Sequence, residues 1–134
     1  MESLAIDIEK STLINPYYRR VIWTGRYSQV VLMSLKPNEE IGMEVHPTTD
    51  QFIRIESGRG DAIIRMSVAS GIISDECKGD IKYELMDGSA VSIPAGTYHN
   101  IINTGKDNLQ LYTIYSPPHH PANTLHENKP SNEH

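Results

Sequence analysis

The amino-acid sequence predicts an all-β protein built as a sandwich or a barrel. Its apolar segments are short and rich in Val, Ile and Tyr, a composition typical of strands. Turn residues separate these segments at regular intervals, and no segment shows the pattern of an amphipathic helix of three turns. Together these observations favour many short strands over a helical or mixed fold.

Each predicted strand is a β-rich run bounded by turn signals. In chain order the strands cover residues 20–23, 29–35, 42–46, 51–56, 61–66, 81–85, 90–93, 98–102 and 109–115. The turn signals between them lie at residues 36–38, 57–60, 87–88 and 103–105. One flat sheet would not hold so many short strands, which is why we expect a sandwich or a barrel. Residues 3–10 could form a short helix or an arm strand.

The C-terminal segment differs in composition from the rest of the chain. Residues 117–134 lose the apolar periodicity and are rich in Pro, Asn and His. We therefore expect one β-barrel domain over residues 1–116, followed by an extended or disordered tail. The entropy cost of ordering such a tail opposes metal binding by its histidines, which are His119, His120, His126 and His134.

Length and charge exclude several classes of protein. The 134 residues are enough for one domain with a buried core. The 12 basic and 17 acidic residues give a net charge of −5, which disfavours a nucleic-acid partner, and we interpret Arg19 and Arg20 as a solvated strand end. No apolar run approaches the roughly 20 residues that span a bilayer. The acidic N-terminal segment is also unlike a signal peptide, so we expect a cytoplasmic protein without a membrane partner.

Cys77 is the only cysteine, which excludes an internal disulfide and a multi-thiolate metal site. Its neighbours Asp75 and Glu76 should raise the pKa of a thiol, with Lys78 as a partial offset. We interpret Cys77 as a reduced thiol without a catalytic role.

Several metal-ligand side chains are placed so that they could converge. Glu44 and His46 are two residues apart in a predicted strand, so their side chains leave the same face. A turn at 47–50 would return Gln51 towards that face on the neighbouring strand. Far along the chain, a turn at 94–97 delivers His99 near the start of another strand.

These residues resemble the two sequence motifs of the cupin superfamily. The second motif is reproduced at every fixed position, by Gly88, Pro94, Gly96, His99 and Asn103. In the first motif His46 and Gly58 match outright. Asn38 stands in place of the opening Gly, Glu44 in place of the first His and Gln51 in place of the Glu.

The resemblance implies a jelly-roll β-barrel that holds one divalent transition metal ion on Glu44, His46, Gln51 and His99. The usual set of one carboxylate and three imidazoles brings one negative charge, and so does this set. Fe, Mn, Ni, Co and Zn all suit two imidazoles with oxygen donors. Gln51 could bind the ion directly or hold a metal-bound water with its NH2 group. The four glycines at 58, 60, 88 and 96 and Asn103 are interpreted as turn or strand-end residues.

The resemblance also implies that the protein binds or acts on a small molecule at the barrel mouth. The Glu, His, Gln, His donor set resembles that of small cupins described as mannose-6-phosphate isomerase-like, and dioxygenase-like chemistry is a second possibility. A non-enzymatic module that binds a small ligand is the alternative, and so is a cupin barrel that has lost its metal. The resemblance further implies a homodimer. Residues 67–80 exceed the tight turn of compact cupins and are predicted to form an extra hairpin or loop near one end of the barrel.

Overall fold

Antiparallel strands in two sheets make up most of the computed structural model, which describes residues 2–65 and 79–131. The elements are helix α1 (Ile8–Ile14) and strands β1 (Arg19–Thr24), β2 (Gln29–Leu35), β3 (Asp50–Ser57), β4 (Gly60–Arg65), β5 (Asp80–Leu85), β6 (Ala90–Ile93), β7 (Tyr98–Asn103), β8 (Leu109–Ser116) and β9 (Leu125–His126). The larger sheet has the order β6-β3-β8-β2-β1-β9, and the smaller one has the order β5-β4-β7. The all-β jelly-roll prediction is confirmed.

The inward side chains change from apolar to polar along the strands. At one end Leu35, Ile55, Leu109 and Leu111 are completely buried between the sheets. At the other end of β2, β3 and β8, the register pairs both Gln29 and Gln51 with Tyr115. The three side chains are also buried and, with Thr113, form what we call the polar layer. The apolar end supplies the hydrophobic core, and the polar layer sets up the functional site.

Most predicted strands are present within one residue at each end, but residues 42–46 are not a strand. Within this segment only Glu44 forms a bridge, to His99, and just before it Glu40 forms another isolated bridge, to Ile102. Gly42, with φ of 103°, interrupts the pairing between the two bridges, and its N–H donates to Asn100 Oδ1 at 2.8 Å. A positive φ takes the backbone out of the extended conformation that a continuous ladder requires.

The helix lies further along the chain than residues 3–10. It begins after Asp7, whose side chain caps it by accepting a hydrogen bond from Lys10 N at 3.0 Å. Gln110 on β8 then fixes its far end, because Nε2 donates to the carbonyl oxygens of Thr12 and Asn15 at 2.8 Å each. Within the described residues no helix has the length and apolarity needed to cross a membrane.

The C-terminal segment, which was expected to be extended or disordered, makes contacts with the barrel as far as Lys129, whose Nζ donates to Glu40 O. Strand β9 pairs with β1, where Arg19 is opposite His126. Val21 N also donates to Thr124 O at 2.9 Å. Arg19 is 2% exposed, and its Nη1 donates to His126 Nδ1 at 3.0 Å, so the interpretation of Arg19 as solvated was wrong.

Three predictions fall on residues outside the described ranges. They are the extra hairpin or loop at 67–80, except for its last two residues, the thiol of Cys77 and the tail histidine His134. The first described residues after that gap lead directly into β5 at Asp80.

Candidate metal centre

Glu44 and His46 lie in a loop that backbone hydrogen bonds hold against β7. Glu44 N donates to His99 O, and His99 N donates to Glu44 O, both at 2.9 Å. Gly96 N donates to His46 O at 2.9 Å, which ties the same loop to the turn before β7. Residues 44 and 46 are thereby placed beside residue 99, although 42–46 is not a strand.

The three side chains meet at one point. Glu44 Oε1 lies 3.3 Å from Nε2 of His46 and 3.5 Å from Nε2 of His99. One ligand atom from each residue lies within 4.8 Å of the others, a spacing that could hold a metal ion. The side chains are 8%, 4% and 2% exposed for Glu44, His46 and His99. We refer to these three residues as the triad.

The hydrogen bonding of the site fits a bound cation. Within the described residues, Nε2 of His46 and Nε2 of His99 are buried and make no hydrogen bond. His99 Nδ1 lies 2.9 Å from Thr97 O, and since a carbonyl oxygen only accepts, Nδ1 carries the proton. The lone pair of Nε2 then points away from that bond, as in a metal-binding imidazole. An Nε2 lone pair that faces the carboxylate of Glu44 at 3.3 or 3.5 Å without a hydrogen bond is costly unless a cation lies between them.

Gln51 reaches the site from the polar layer. Its Nε2 donates to Thr113 Oγ1 at 3.0 Å, so the NH2 group is already engaged. Its Oε1 is buried and has no hydrogen-bond partner among the described residues. The arrangement leaves the amide oxygen, rather than the NH2 group, as the atom available to an ion or its water. Two roles were predicted for Gln51, direct binding of the ion and a bond from its NH2 group to a metal-bound water, and both stay predictions.

The ionised form of Glu44 is stabilised by the neighbouring side chains of His46 and His99. Burial alone would raise the pKa of Glu44, but hydrogen bonding and charge interactions with His46 and His99, which act in the metal-free site when these rings carry an Nε2 proton, outweigh it and lower the pKa from 4.5 to about 2. Glu44 is therefore a carboxylate at neutral pH. The triad brings one negative charge to a cation.

His119 and His120 extend the site beyond the residues that sequence reasoning found. The ring of His119 lies 4.1 Å from that of His46, and the ring of His120 lies 4.6 Å from that of His119. Tyr115 lies between 5.3 and 5.6 Å from all three imidazoles. The composition of the tail gave no indication that His119 and His120 reach the site. A signal was nevertheless present in Gln29, a polar residue on the otherwise apolar inward face of β2, which indicates that a polar group packs against that face.

His120 is a neutral imidazole in this position. Burial, followed by the positive charge of Arg19, lowers the pKa of His120 from 6.5 to about 3.

Asn103 has the structural role that was predicted for it. Its Nδ2 donates to the carbonyl oxygens of Leu35 and Asp107, and its Oδ1 accepts from Gly105 N, all at 2.9 Å. These bonds close the turn between β7 and β8. Asn103 is therefore the last residue of β7 and holds the chain reversal.

The jelly-roll barrel with a histidine and carboxylate site inside it defines a class of protein, the cupins. The Cupin domain family matches residues 31–115, and the chain belongs to that family.

Individual relatives are similar over most of this chain. The crystal structure of BH2720 from Bacillus halodurans is 43% identical, with a TM-score of 0.85, and the match covers 96% of this chain and 91% of that one. The Bacillus subtilis protein YrkC is 45% identical over 124 residues, which are 92% of this chain and 62% of YrkC. The Acanthamoeba polyphaga mimivirus protein L612 is 45% identical over 93% of this chain and 72% of its own length. The chain thus spans less than two thirds of YrkC.

Proposed function

We propose that this protein is a metal-dependent cupin that acts on a small molecule at an ion held by Glu44, His46 and His99, with Gln51 as a further oxygen donor. The observation that carries the proposal is the state of the two Nε2 atoms of the triad. Both are buried without a hydrogen bond, and both lie within 3.5 Å of one carboxylate oxygen. A cation would satisfy these groups and balance the charge of Glu44.

The residues of the site each have a distinct part in this proposal. Glu44 supplies the negative charge, and His99 is oriented by its bond to Thr97 O. Bulk water is limited at the site because the three side chains are at most 8% exposed. The ion would supply Lewis-acid chemistry, polarising an oxygen of the bound molecule. Fe, Mn, Ni, Co and Zn all suit this donor set.

For the reaction we propose sugar-phosphate isomerase-like chemistry of the mannose-6-phosphate type, with dioxygenase-like chemistry as the other enzymatic possibility. The preference for the isomerase rests on the resemblance of the Glu, His, Gln, His donor set to that of small isomerase-like cupins. A fold by itself does not determine a reaction, so the preference depends on the donor set and not on the barrel.

A non-enzymatic module that binds a small ligand is the competing function. The strong burial of the triad favours it, because a site with little exposure suits retention of a ligand more than rapid exchange. Both functions need the ion. They differ in whether the bound molecule is converted.

The metal content of protein purified without an affinity tag tests the shared part of the proposal. We expect about one equivalent of a transition metal per chain, and almost none in the double variant Glu44→Ala, His99→Ala. The matched control is Glu84→Ala, His126→Ala, which removes the same residue types away from the triad and should keep the metal. A wild-type protein that holds no stoichiometric metal, even after reconstitution, would contradict the proposal.

A further inference from the structure

The aromatic rings around the triad form a continuous path to the surface. His99 and His46 are 5.2 Å apart between ring centroids, and His119 follows at 4.1 Å from His46. His46 and His99 are buried, whereas His119 is exposed. His119 is therefore the imidazole at which the buried site meets solvent.

Gln29 determines where His119 stands. Its side chain is completely buried, and its Oε1 accepts hydrogen bonds from His119 N at 3.1 Å and from His120 N at 3.0 Å. Its Nε2 donates to His120 O at 2.7 Å and to Thr24 Oγ1 at 3.0 Å. One carboxamide thus satisfies three backbone groups of a segment about ninety residues away in sequence.

Charge suggests what such a site would bind. A divalent ion with the carboxylate of Glu44 and neutral imidazoles leaves one positive charge, which favours an anion with oxygen donors. The exposed imidazole of His119 can donate or accept a hydrogen bond at the rim of that site.

Building on the proposed function, we propose that His119 contacts a small oxygen-bearing anion bound at the triad, and that Gln29 is the positioning residue that holds His119 there. This assigns a role to residues outside 31–115, the span matched by the Cupin domain family. The ligand class would include α-hydroxycarboxylates and enediolates, which present two oxygens to one ion.

Titration of the Co²⁺-loaded full chain with glycolate tests this inference. The visible absorption of Co²⁺ reports the binding of Co²⁺ and then of glycolate, without any assay of activity. The variants are His119→Phe, which keeps a ring without hydrogen bonds, His119→Asn, which keeps hydrogen bonding, and Gln29→Leu. The control is His126→Asn, a histidine of the same segment that lies against Arg19 instead of the triad.

We expect all four variants to bind Co²⁺ within about threefold of the wild type, because the triad is unchanged. Glycolate should bind about tenfold more weakly to His119→Phe and to Gln29→Leu, the loss expected for one hydrogen bond to an anion. His119→Asn and His126→Asn should stay within about threefold of the wild type. This separation of glycolate affinity from Co²⁺ affinity would not arise from a purely structural role of Gln29.

His119→Phe decides the outcome if Gln29→Leu fails to fold. Unchanged glycolate affinity in that variant, or no glycolate binding to the Co²⁺-loaded wild type, would overturn the inference while the proposed metal site stands. Loss of Co²⁺ itself in His119→Phe would also overturn it, since His119 would then be a metal ligand. Failure of the wild type to bind Co²⁺ would instead overturn the proposed function.

Discussion

Gln51 is the least conventional donor of the site, and its hydrogen bonds limit what it can do. The amide nitrogen is engaged by Thr113 Oγ1, so the buried oxygen is the group left for an ion or its water. An amide oxygen is a weaker ligand than a carboxylate, which makes this position a sensitive test of direct binding.

Two replacements of Gln51, by Glu and by Leu, should change the metal affinity in opposite directions. Gln51→Glu adds a second negative charge and should tighten the binding of Mn²⁺ or Zn²⁺ about tenfold, and Gln51→Leu should weaken it by a similar factor. Metal-free Gln51→Glu should be less stable than the wild type, because two carboxylates would then be close together without a cation. Isothermal titration calorimetry measures the affinities. Equal affinities in both variants would show that Gln51 is not a ligand.

His120 should make the fold sensitive to mild acid. Its pKa falls from 6.5 to about 3 on folding, so between these values the unfolded chain takes up a proton that the folded chain does not. The contribution is fully present above pH 6.5 and declines as the pH falls. Between pH 7 and pH 5 the wild type should lose about 1 kcal/mol, allowing for screening by solvent at this partly exposed ring.

The variant His120→Phe keeps a ring and cannot titrate, so it should lose less stability over the same interval. Urea unfolding at pH 7 and pH 5 gives the two free energies. This window avoids Glu44, whose contribution is lost only below pH 4.5, as the pH falls towards its folded pKa of about 2. An identical pH dependence of the wild type and His120→Phe would contradict the assignment.

At the scale of the elements, turns decide where the strands can begin. Gly58 separates β3 from β4 with φ of 97°, and a Cβ there would lie 2.7 Å from the backbone oxygen of Asn108. Gly88 has a similar φ of 88°, but a Cβ would meet nothing within 4 Å. Both turns require a positive φ, but a methyl group would clash with the backbone only at Gly58.

Gly58→Ala should therefore be more destabilising than Gly88→Ala. The positive φ alone costs an Ala about 1 kcal/mol, which is the loss expected for Gly88→Ala. The backbone clash should raise the loss for Gly58→Ala to about 2–3 kcal/mol. Chemical denaturation of both variants measures the difference. Equal losses would mean that the turn after β3 relaxes to admit the methyl group.

At the scale of the whole molecule, a bound ion would link parts of the chain that are distant in sequence. The triad joins the loop that carries Glu44 and His46 to β7, and β7 belongs to the smaller sheet. Removing the ion with a chelator should lower the Tm by about 5–10 °C if the site is nearly saturated. The double variant Glu44→Ala, His99→Ala should show no such shift in a thermal melt. A chelator effect of equal size in that variant would place the ion elsewhere.

The homodimer implied by the resemblance stays a prediction at this scale. Large apolar side chains are exposed at Leu4, Ile6, Ile14 and Leu125, around a groove of about 610 Å³ on the outer side of β1 and β2. Such a patch is where we expect a second copy to pack. Sedimentation at micromolar concentration tests this, and a monomer would rule it out.

Strand prediction succeeded where the side-chain pattern is local. The bounds of β2 and β6 match the predicted 29–35 and 90–93, since both runs are β-rich and end at turn residues. The 42–46 strand failed because the conformation of Gly42 is set by its bond to Asn100, which local patterning does not reveal. Asn38, with φ of 68°, shows why Asn can stand where the motif opens with Gly, since Asn tolerates this conformation.

By itself the sequence determined the all-β class and most strand bounds, because periodicity and turn chemistry depend on residues near one another along the chain. The cupin motifs were found by their resemblance to the family. The tertiary structure alone decided that Glu44 approaches His46 and His99 from a loop, and that His119 lies against His46. Those contacts depend on hydrogen bonds between distant segments, such as the bonds from Gln29 to the backbone of His119 and His120. A polar Gln29 on an apolar strand face signals that a polar group packs there, but which distant segment supplies that group is revealed only by the folded chain.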